Sequence, residues 1–376
     1  MPEFYASAPN GLSEALEAEL LDLDLKVLRR NSSGVTFEAP WSGCYKANLH
    51  SRIASRILKP VLDFTAYQPE ELYGQILKHD FTKYISEKGT IAVDAGVQDC
   101  MMRDQRYVAM KVKDAIVDQF RDKTGERPNV DSANPDLRIV IRGNRNVFQV
   151  ALDTSGDSLF QRGYRKAAGE APLKENLAAG LLRLTGWKKD QPVIDLMTGA
   201  GTFVIEAALM ALNVAPGVLR KGFAFQKWLN FDSQAWEALV NEAVEQEKPD
   251  LPFKFHGYEL DKVTLQKAKD NARRAGVDHV IEWHREHIAA VEAPVEAGMA
   301  IVNPPYGARI GEEDNLRDVY RDLGFTLKHK FPKWSCWVLS GNKNLIQDLH
   351  LKANQRHFVY NGPIECRFLR YDMVKL

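Results

Sequence analysis

The chain has 376 residues, enough for two or three domains that each bury a core. An apolar share of 45% and a charged share of 27% are those of an ordinary globular protein, which excludes a disordered or fibrous chain. Lys plus Arg number 50 and Asp plus Glu number 50, so any nucleic-acid surface must be a local patch and not the whole molecule.

The four cysteines, Cys44, Cys100, Cys336 and Cys366, lie far apart without a CxxC pair. That argues against a cysteine-built zinc site or a disulfide framework and fits a reducing cytoplasm; no metal is expected. The N-terminus lacks the basic and apolar regions of a signal peptide. The nearest approach to a membrane span, residues 199–218, contains Glu206, three glycines and Pro216, so no membrane association is expected.

In chain order, residues 4–8 read as a short strand, and a helix beginning at Ser13 presents Leu16, Leu20 and Leu23. Strands at 27–28 and 35–37 flank the turn 31–34, and a second helix carries Leu49, Ile53, Ile57 and Leu58. Residues 69–84 read as helical and 90–97 as a strand. Residues 105–122 carry Val108, Val112, Ile116 and Phe120 at helical spacing, with Arg103, Arg106, Lys111, Lys113, Arg121 and Lys123 around them. This helix reads either as a phosphate-binding face or as an amphipathic helix with a solvated side, because Asp104, Asp114, Asp118 and Asp122 dilute its charge. Strands at 138–142 and 147–152 follow, and turn residues cluster at 154–157. Next, 159–166 places Arg162, Arg165 and Lys166 beside Tyr164. This is a candidate RNA contact of arginine forks and an aromatic ring, or else a basic linker. A helix opens at Pro172 and runs over 174–184.

Residues 192–206 read as an apolar strand, a glycine-containing turn and an apolar helix. Gly199 and Gly201 permit close approach of a ligand, and the helix start adds partial positive charge. The third glycine of the dinucleotide fingerprint is missing, and Asp195 just before the loop repels a pyrophosphate. A carboxylate there suits the ammonium of an amino-acid moiety, such as S-adenosylmethionine carries. Glu259 ends a second strand, placed to accept both hydroxyls of a ribose, and a helix spans 262–275. A third strand, 280–283, leads to Glu286 and His287, either of which is a candidate for the adenine amine.

The fourth strand, 300–302, runs into Asn303-Pro-Pro-Tyr306. Pro304 and Pro305 fix their own φ and restrict Asn303, holding its side chain at one angle. Taken alone this is a rigid turn. After a fourth strand it suits a planar amine: the Asn303 side-chain oxygen and the Pro304 carbonyl would accept its N–H groups and localise the lone pair. Tyr306 would stack on the base, a contact worth roughly 1–3 kcal/mol. These groups all follow strand ends of one βαβ series, where open parallel sheets bind ligands. A helix over 316–331, a strand over 334–339 and an antiparallel pair at 358–360 and 366–371 complete the chain.

Asp195-Leu-Met-Thr-Gly-Ala-Gly-Thr202, Gly257-Tyr-Glu-Leu-Asp261 and Asn303-Pro-Pro-Tyr306 resemble, in order and spacing, the motifs of Rossmann-like S-adenosylmethionine-dependent amino-methyltransferases. With Asp153-Thr-Ser-Gly156, Arg162-Gly-Tyr-Arg165 and Ala171-Pro-Leu-Lys-Glu175, the chain is similar to the THUMP-containing large-subunit rRNA guanine-N2 methyltransferases over nearly its whole length. The resemblance implies an α/β chain with a ferredoxin-like α+β domain (1–65), a THUMP RNA-binding domain (66–155), a linker (156–172) and a class I methyltransferase domain (173–376). It implies cofactor contacts from Asp195, Thr198, Gly199, Gly201, Thr202, Glu259, Asp261, Glu286 and His287. Asn303, Pro304, Pro305 and Tyr306 would form the catalytic loop, and Arg162, Tyr164, Arg165 and Lys166 would contact RNA. Relatives carry an Asp near 287, a departure that leaves the adenine contact open.

The expected partner is 23S rRNA or a ribosomal precursor, bound by a monomer or homodimer. Some relatives append a second methyltransferase unit, and a chain with one unit is expected to make one modification. Three rivals are an adenine-N6 methyltransferase, since the tetrapeptide serves both amines, a non-catalytic RNA-binding assembly factor and a dehydrogenase. The intact Asp195, Glu259 and Asn303 weigh against the second, and Asp195 against the third.

Overall fold

Two sheets organise the chain, and the computed structural model describes residues 1–166, 173–306 and 313–373. Ala171, Pro172 and Gly307 lie outside the described residues. The first sheet begins with β1 (Glu3–Ser7), α1 (Ser13–Asp22), β2 (Lys26–Asn31), β3 (Gly34–Glu38), α2 (Trp41–His50) and β4 (Arg56–Thr65). It continues through α3 (Pro69–Ile76), β5 (Thr90–Gln98), α4 (Gln105–Thr124), β6 (Asn129–Val130), β7 (Leu137–Asn144) and β8 (Val147–Asp153). All eight strands hydrogen-bond in the order β2-β3-β1-β4-β8-β7-β5-β6. The seam between the two halves is β4 against β8, from Leu58 opposite Asp153 to Thr65 opposite Val147.

The expected second helix stops at His50, so Ile53, Ile57 and Leu58 lie outside it. The carboxylate of Glu19 accepts the Ser51 hydroxyl and the N–H groups of Arg52 and Ile53, and this capture turns the chain out of the helix. β4 then carries Pro60 in the sheet interior, which is tolerated because the register shifts between Pro60 and Leu62. The expected helix over 69–84 is shorter, ending at Ile76 with a separate turn at Phe81–Lys83. In α4 the Asp104 side chain caps the start and Gly125, at φ 79°, ends it. Arg106, Lys111, Lys113, Arg121 and Lys123 lie within ion-pair distance of Asp104, Glu70, Asp114, Asp118 and Asp80. That favours the solvated-face reading of α4 over a bare phosphate-binding face.

The second sheet is built from α5 (Glu175–Leu184), β9 (Val193–Asp195), α6 (Thr202–Ala211), α7 (Ser233–Glu245), β10 (Phe255–Tyr258), α8 (Lys262–Ala275), β11 (Ile281–His284), β12 (Met299–Val302), α9 (Glu313–Lys330), β13 (Ser335–Ser340), β14 (Gln355–Asn361) and β15 (Ile364–Asp372). Its order is β11-β10-β9-β12-β13-β15-β14. The first five of these are mutually parallel, and the last two add as an antiparallel hairpin. The order of strand addition reverses between β9 and β12, the switch point where such parallel sheets open a crevice at their strand C-termini.

One apolar core runs from the first sheet into the second. Tyr45 stacks on Phe225 at 4.5 Å, and Trp41 meets Trp228 edge-on. Gly180 of α5 sits so close to Leu12 that a Cβ would lie 2.4 Å from its methyl carbon. Arg52 donates to the Val214 carbonyl at 2.6 Å, and Arg220 donates to the carbonyls of Asp157, Ser158 and Gln161 at 2.9 Å each. The N-terminal sheet is thus packed against the unit that carries the crevice.

Candidate active site at the strand ends

Register places Asp195 opposite both Gly257 and Ile301, so the ends of β9, β10 and β12 lie side by side. After β9 the chain turns through Gly199, at φ 53°, and Gly201, at φ 85°, conformations costly for a residue with a Cβ. At Gly201 a Cβ would also stand 3.1 Å from Ile205 and from the Trp283 ring, whereas at Gly199 it would meet nothing within 4 Å. The loop is therefore packed from behind and open in front.

Glu259 joins two loops. One carboxylate oxygen accepts the Gly199 N–H at 3.1 Å and the other the Asp261 N–H at 3.0 Å, which fixes the side chain and leaves it further acceptor capacity. Asp195 is 2% exposed, and its carboxylate accepts the Met197 N–H at 3.2 Å, with the Thr198 hydroxyl beside it. Burial pushes its carboxyl up to about 7, the charge of Glu259 adding to the rise and the Met197 and Thr198 bonds opposing it. A buried carboxylate whose charged form is penalised this far fits a cationic ligand group.

Among the described residues, one buried polar atom at these strand ends, the Asn303 Oδ1, has no hydrogen-bond partner. Such an atom is a site a ligand would satisfy. Pro304 is buried, Pro305 exposed and Tyr306 half-buried. The Tyr306 hydroxyl accepts a 3.0 Å bond from Asn361, at the turn of the β14–β15 hairpin.

Other expected site residues are placed differently. Asp261 is exposed, and its carboxylate caps α8 by accepting the Thr264 N–H at 2.8 Å; the Thr264 hydroxyl and then this N–H lower its pKa. The Thr202 hydroxyl is committed to Arg165, which donates to it at 2.7 Å. Exposed His287 accepts the Ala289 N–H on Nδ1 at 3.3 Å, while Glu286 is half-buried after β11.

The reading of 162–166 as an RNA contact is corrected for three of its four residues. Arg162 is 1% exposed, donates to the carbonyls of Leu159 and Arg52, and lies 3.6 Å from the Glu206 carboxylate. Tyr164 is equally buried, with its hydroxyl on Glu206 at 3.2 Å. Arg165 binds Glu175 at 3.0 Å besides Thr202. Only Lys166 is exposed. Arg162→Ala is therefore expected to destabilise the fold by about 3–5 kcal/mol, by stranding Glu206. Thermal unfolding checks this, and RNA affinity per folded molecule should not change.

Lys166, with parts of Arg162 and Arg165, lines a cleft of about 720 Å³ that also takes in Phe160, Lys174, Lys221 and Asn361. Lys174 Nζ sits 4.8 Å from the Phe160 ring centroid, and Asn361 connects the cleft to Tyr306. Sequence reading passed over Lys174, Lys221 and Asn361. The Asn361-Gly362 dipeptide signals a hairpin turn, but no local pattern shows that the turn docks on Tyr306.

A glycine loop after the first strand of a 3-2-1-4-5-7-6 sheet, with Glu259 and Asn303 at neighbouring strand ends, has the architecture of a Rossmann-like methyltransferase that uses S-adenosylmethionine. Residues 162–370 match the RMKL-like methyltransferase domain, 3–58 the RlmL ferredoxin-like domain and 66–153 the THUMP domain. The chain belongs to the RMKL-like methyltransferase family, as its motifs led us to expect.

A protein of Synechocystis named putative RNA methyltransferase is 37% identical over 98% of this chain and 96% of its own length. The ribosomal RNA large subunit methyltransferase K/L of Syntrophotalea carbinolica is 36% identical over 99% of this chain, which spans 54% of that relative. A crystal structure of a putative methyltransferase complexed with SAH superposes with a TM-score of 0.91 at 28% identity, over 100% of this chain and 99% of that one. No helix among the described residues is long and apolar enough to cross a membrane.

Proposed function

We propose that this protein methylates the N2 amine of a guanine in large-subunit ribosomal RNA. The observation that carries the reading is the buried Asn303 Oδ1 at the end of β12, without a hydrogen-bond partner among the described residues and beside the strand that ends in Asp195. The THUMP match and the relatives named as RNA methyltransferases support RNA over DNA as substrate. S-adenosylmethionine, when bound, supplies an electrophilic methyl group on sulfur. Asp195 holds the ammonium of its methionine end, Gly199 and Gly201 let the backbone approach, and Glu259 accepts the ribose hydroxyls. Glu286 takes the adenine amine, because the acceptor nitrogen of His287 is occupied by Ala289.

Asn303 and the Pro304 carbonyl accept the two N–H groups of the target amine and turn its lone pair toward the methyl group. Tyr306 stacks on the base, offsetting part of the few kcal/mol needed to draw it out of a helix. Most of the rate enhancement is positioning. No side-chain base is required before transfer, because the amine becomes acidic only once it is alkylated. The domain division 1–65, 66–155, 156–172 and 173–376 goes with this reading.

The test is methyl transfer from labelled cofactor to deproteinised rRNA from cells lacking the protein, followed by nucleoside analysis. Label in N2-methylguanosine supports the proposal; label at adenine N6, or transfer to duplex DNA in preference to RNA, overturns it.

The same reading makes the Lys166, Lys174 and Lys221 rim the path of the RNA backbone. Lys174→Glu and Lys221→Glu should each weaken RNA binding and reduce the slope of log affinity against log salt by about one. Filter binding across a salt series checks this, with cofactor affinity unchanged.

A further inference from the structure

We propose that His256, Glu282 and His284 form a site for one divalent metal ion of the zinc class at the free edge of the second sheet. β11 is the edge strand, and its parallel register with β10 sets His256 opposite Glu282 and Tyr258 opposite His284. Residues two apart on a strand share a face, so all four side chains project from one side of the sheet.

His256 Nδ1 lies 3.1 Å from His284 Nε2 and 3.6 Å from a Glu282 carboxylate oxygen, and the ligand atoms of the three all lie within 4.8 Å of one another. A tetrahedral ion about 2.0–2.2 Å from each donor sets its donors about 3.3–3.5 Å apart. Two edges of the triangle are already near that length. The Glu282 side chain is 56% exposed and free to close the third.

Two of the three donors are held in place before any ion arrives. The His284 ring stacks on Tyr258 with centroids 4.5 Å apart and planes 17° apart, and the His256 side chain is only 10% exposed. Two imidazoles and one carboxylate, with a position left for water, suit zinc, nickel, cobalt or copper. Magnesium and calcium prefer oxygen donors and are disfavoured.

The site also bears on the cofactor crevice. The His284 carbonyl accepts the N–H of Glu259 at 3.0 Å, so an ion clamping β11 to β10 would fix the backbone that carries the ribose carboxylate. The two histidines stand 28 positions apart and only parallel pairing unites them, which is why cysteine spacing could not reveal them.

Chelator-treated protein titrated with zinc chloride by calorimetry, together with thermal unfolding, tests the proposal. The expected result is one ion per chain and a raised Tm. His284→Gln and Glu282→Gln should each weaken binding by at least about tenfold while unfolding like the metal-free parent. Absence of saturable zinc binding would overturn the proposal. So would stoichiometric binding undiminished in both variants, which would place the ion on other side chains.

Discussion

Asn303→Ala is expected to lower kcat for methyl transfer by about two to three orders of magnitude while leaving cofactor affinity nearly unchanged. The Asn303 Oδ1 is buried without a partner among the described residues, a state that costs about 1–3 kcal/mol when the atom serves nothing in the fold. Removing it should therefore leave the protein as stable as before, or slightly more so, and separates this variant from one that simply misfolds. The acceptor is kept because a flat amine satisfies it during the reaction, and its loss leaves the lone pair of that amine delocalised into the ring. Single-turnover transfer of labelled methyl to rRNA, with calorimetric cofactor binding alongside, reads both quantities. A rate within a few-fold of the parent would show that Asn303 does not orient the nucleophile.

Which parts of the site were legible in the sequence follows from the range of the interactions involved. Asp195, the glycine turn, Glu259 and Asn303 each sit where an apolar strand gives way to a turn, so a few neighbouring residues define them. The parallel order of three adjacent strands, β10, β9 and β12, then brings them together. Arg162 and Arg165 misled for the opposite reason. Their local surroundings are basic, and the acids that occupy them are Glu206, on α6, and Glu175, at the start of α5. β4 escaped notice because Pro60 reads as a strand breaker unless a bulge is known to absorb it. Lys174 and Lys221 share a cleft only because 159–166, 216–222 and the β14–β15 turn converge, and no periodicity records that convergence.

Asp195 gives the second large effect, and its sign is fixed by burial. A carboxyl raised from 3.8 to about 7 in the folded protein binds a proton more readily there than in the unfolded chain. Its ionisation therefore penalises the cofactor-free fold fully above pH 7. The penalty is relieved as pH falls toward 4, and at about 1.4 kcal/mol per unit it amounts to roughly 4 kcal/mol. A ligand ammonium beside the carboxylate stabilises the ionised form and cancels that penalty.

Cofactor binding above pH 7 should therefore exchange no proton at this group. Below pH 7 it must release one, so affinity falls by up to about tenfold per pH unit between 7 and 5. Asp195→Asn should abolish that dependence. It should also weaken binding at pH 8 by about tenfold or more and, unusually for an active-site change, raise the Tm of the cofactor-free protein at that pH. Calorimetry of S-adenosylmethionine binding from pH 5.5 to 8 in parent and variant reads all of this, with the difference between them cancelling the titration of the cofactor and of the remaining side chains. Parallel pH profiles in the two proteins would mean that Asp195 does not hold the ammonium, and a variant less stable than the parent at pH 8 would mean that its carboxylate is not buried against its charge.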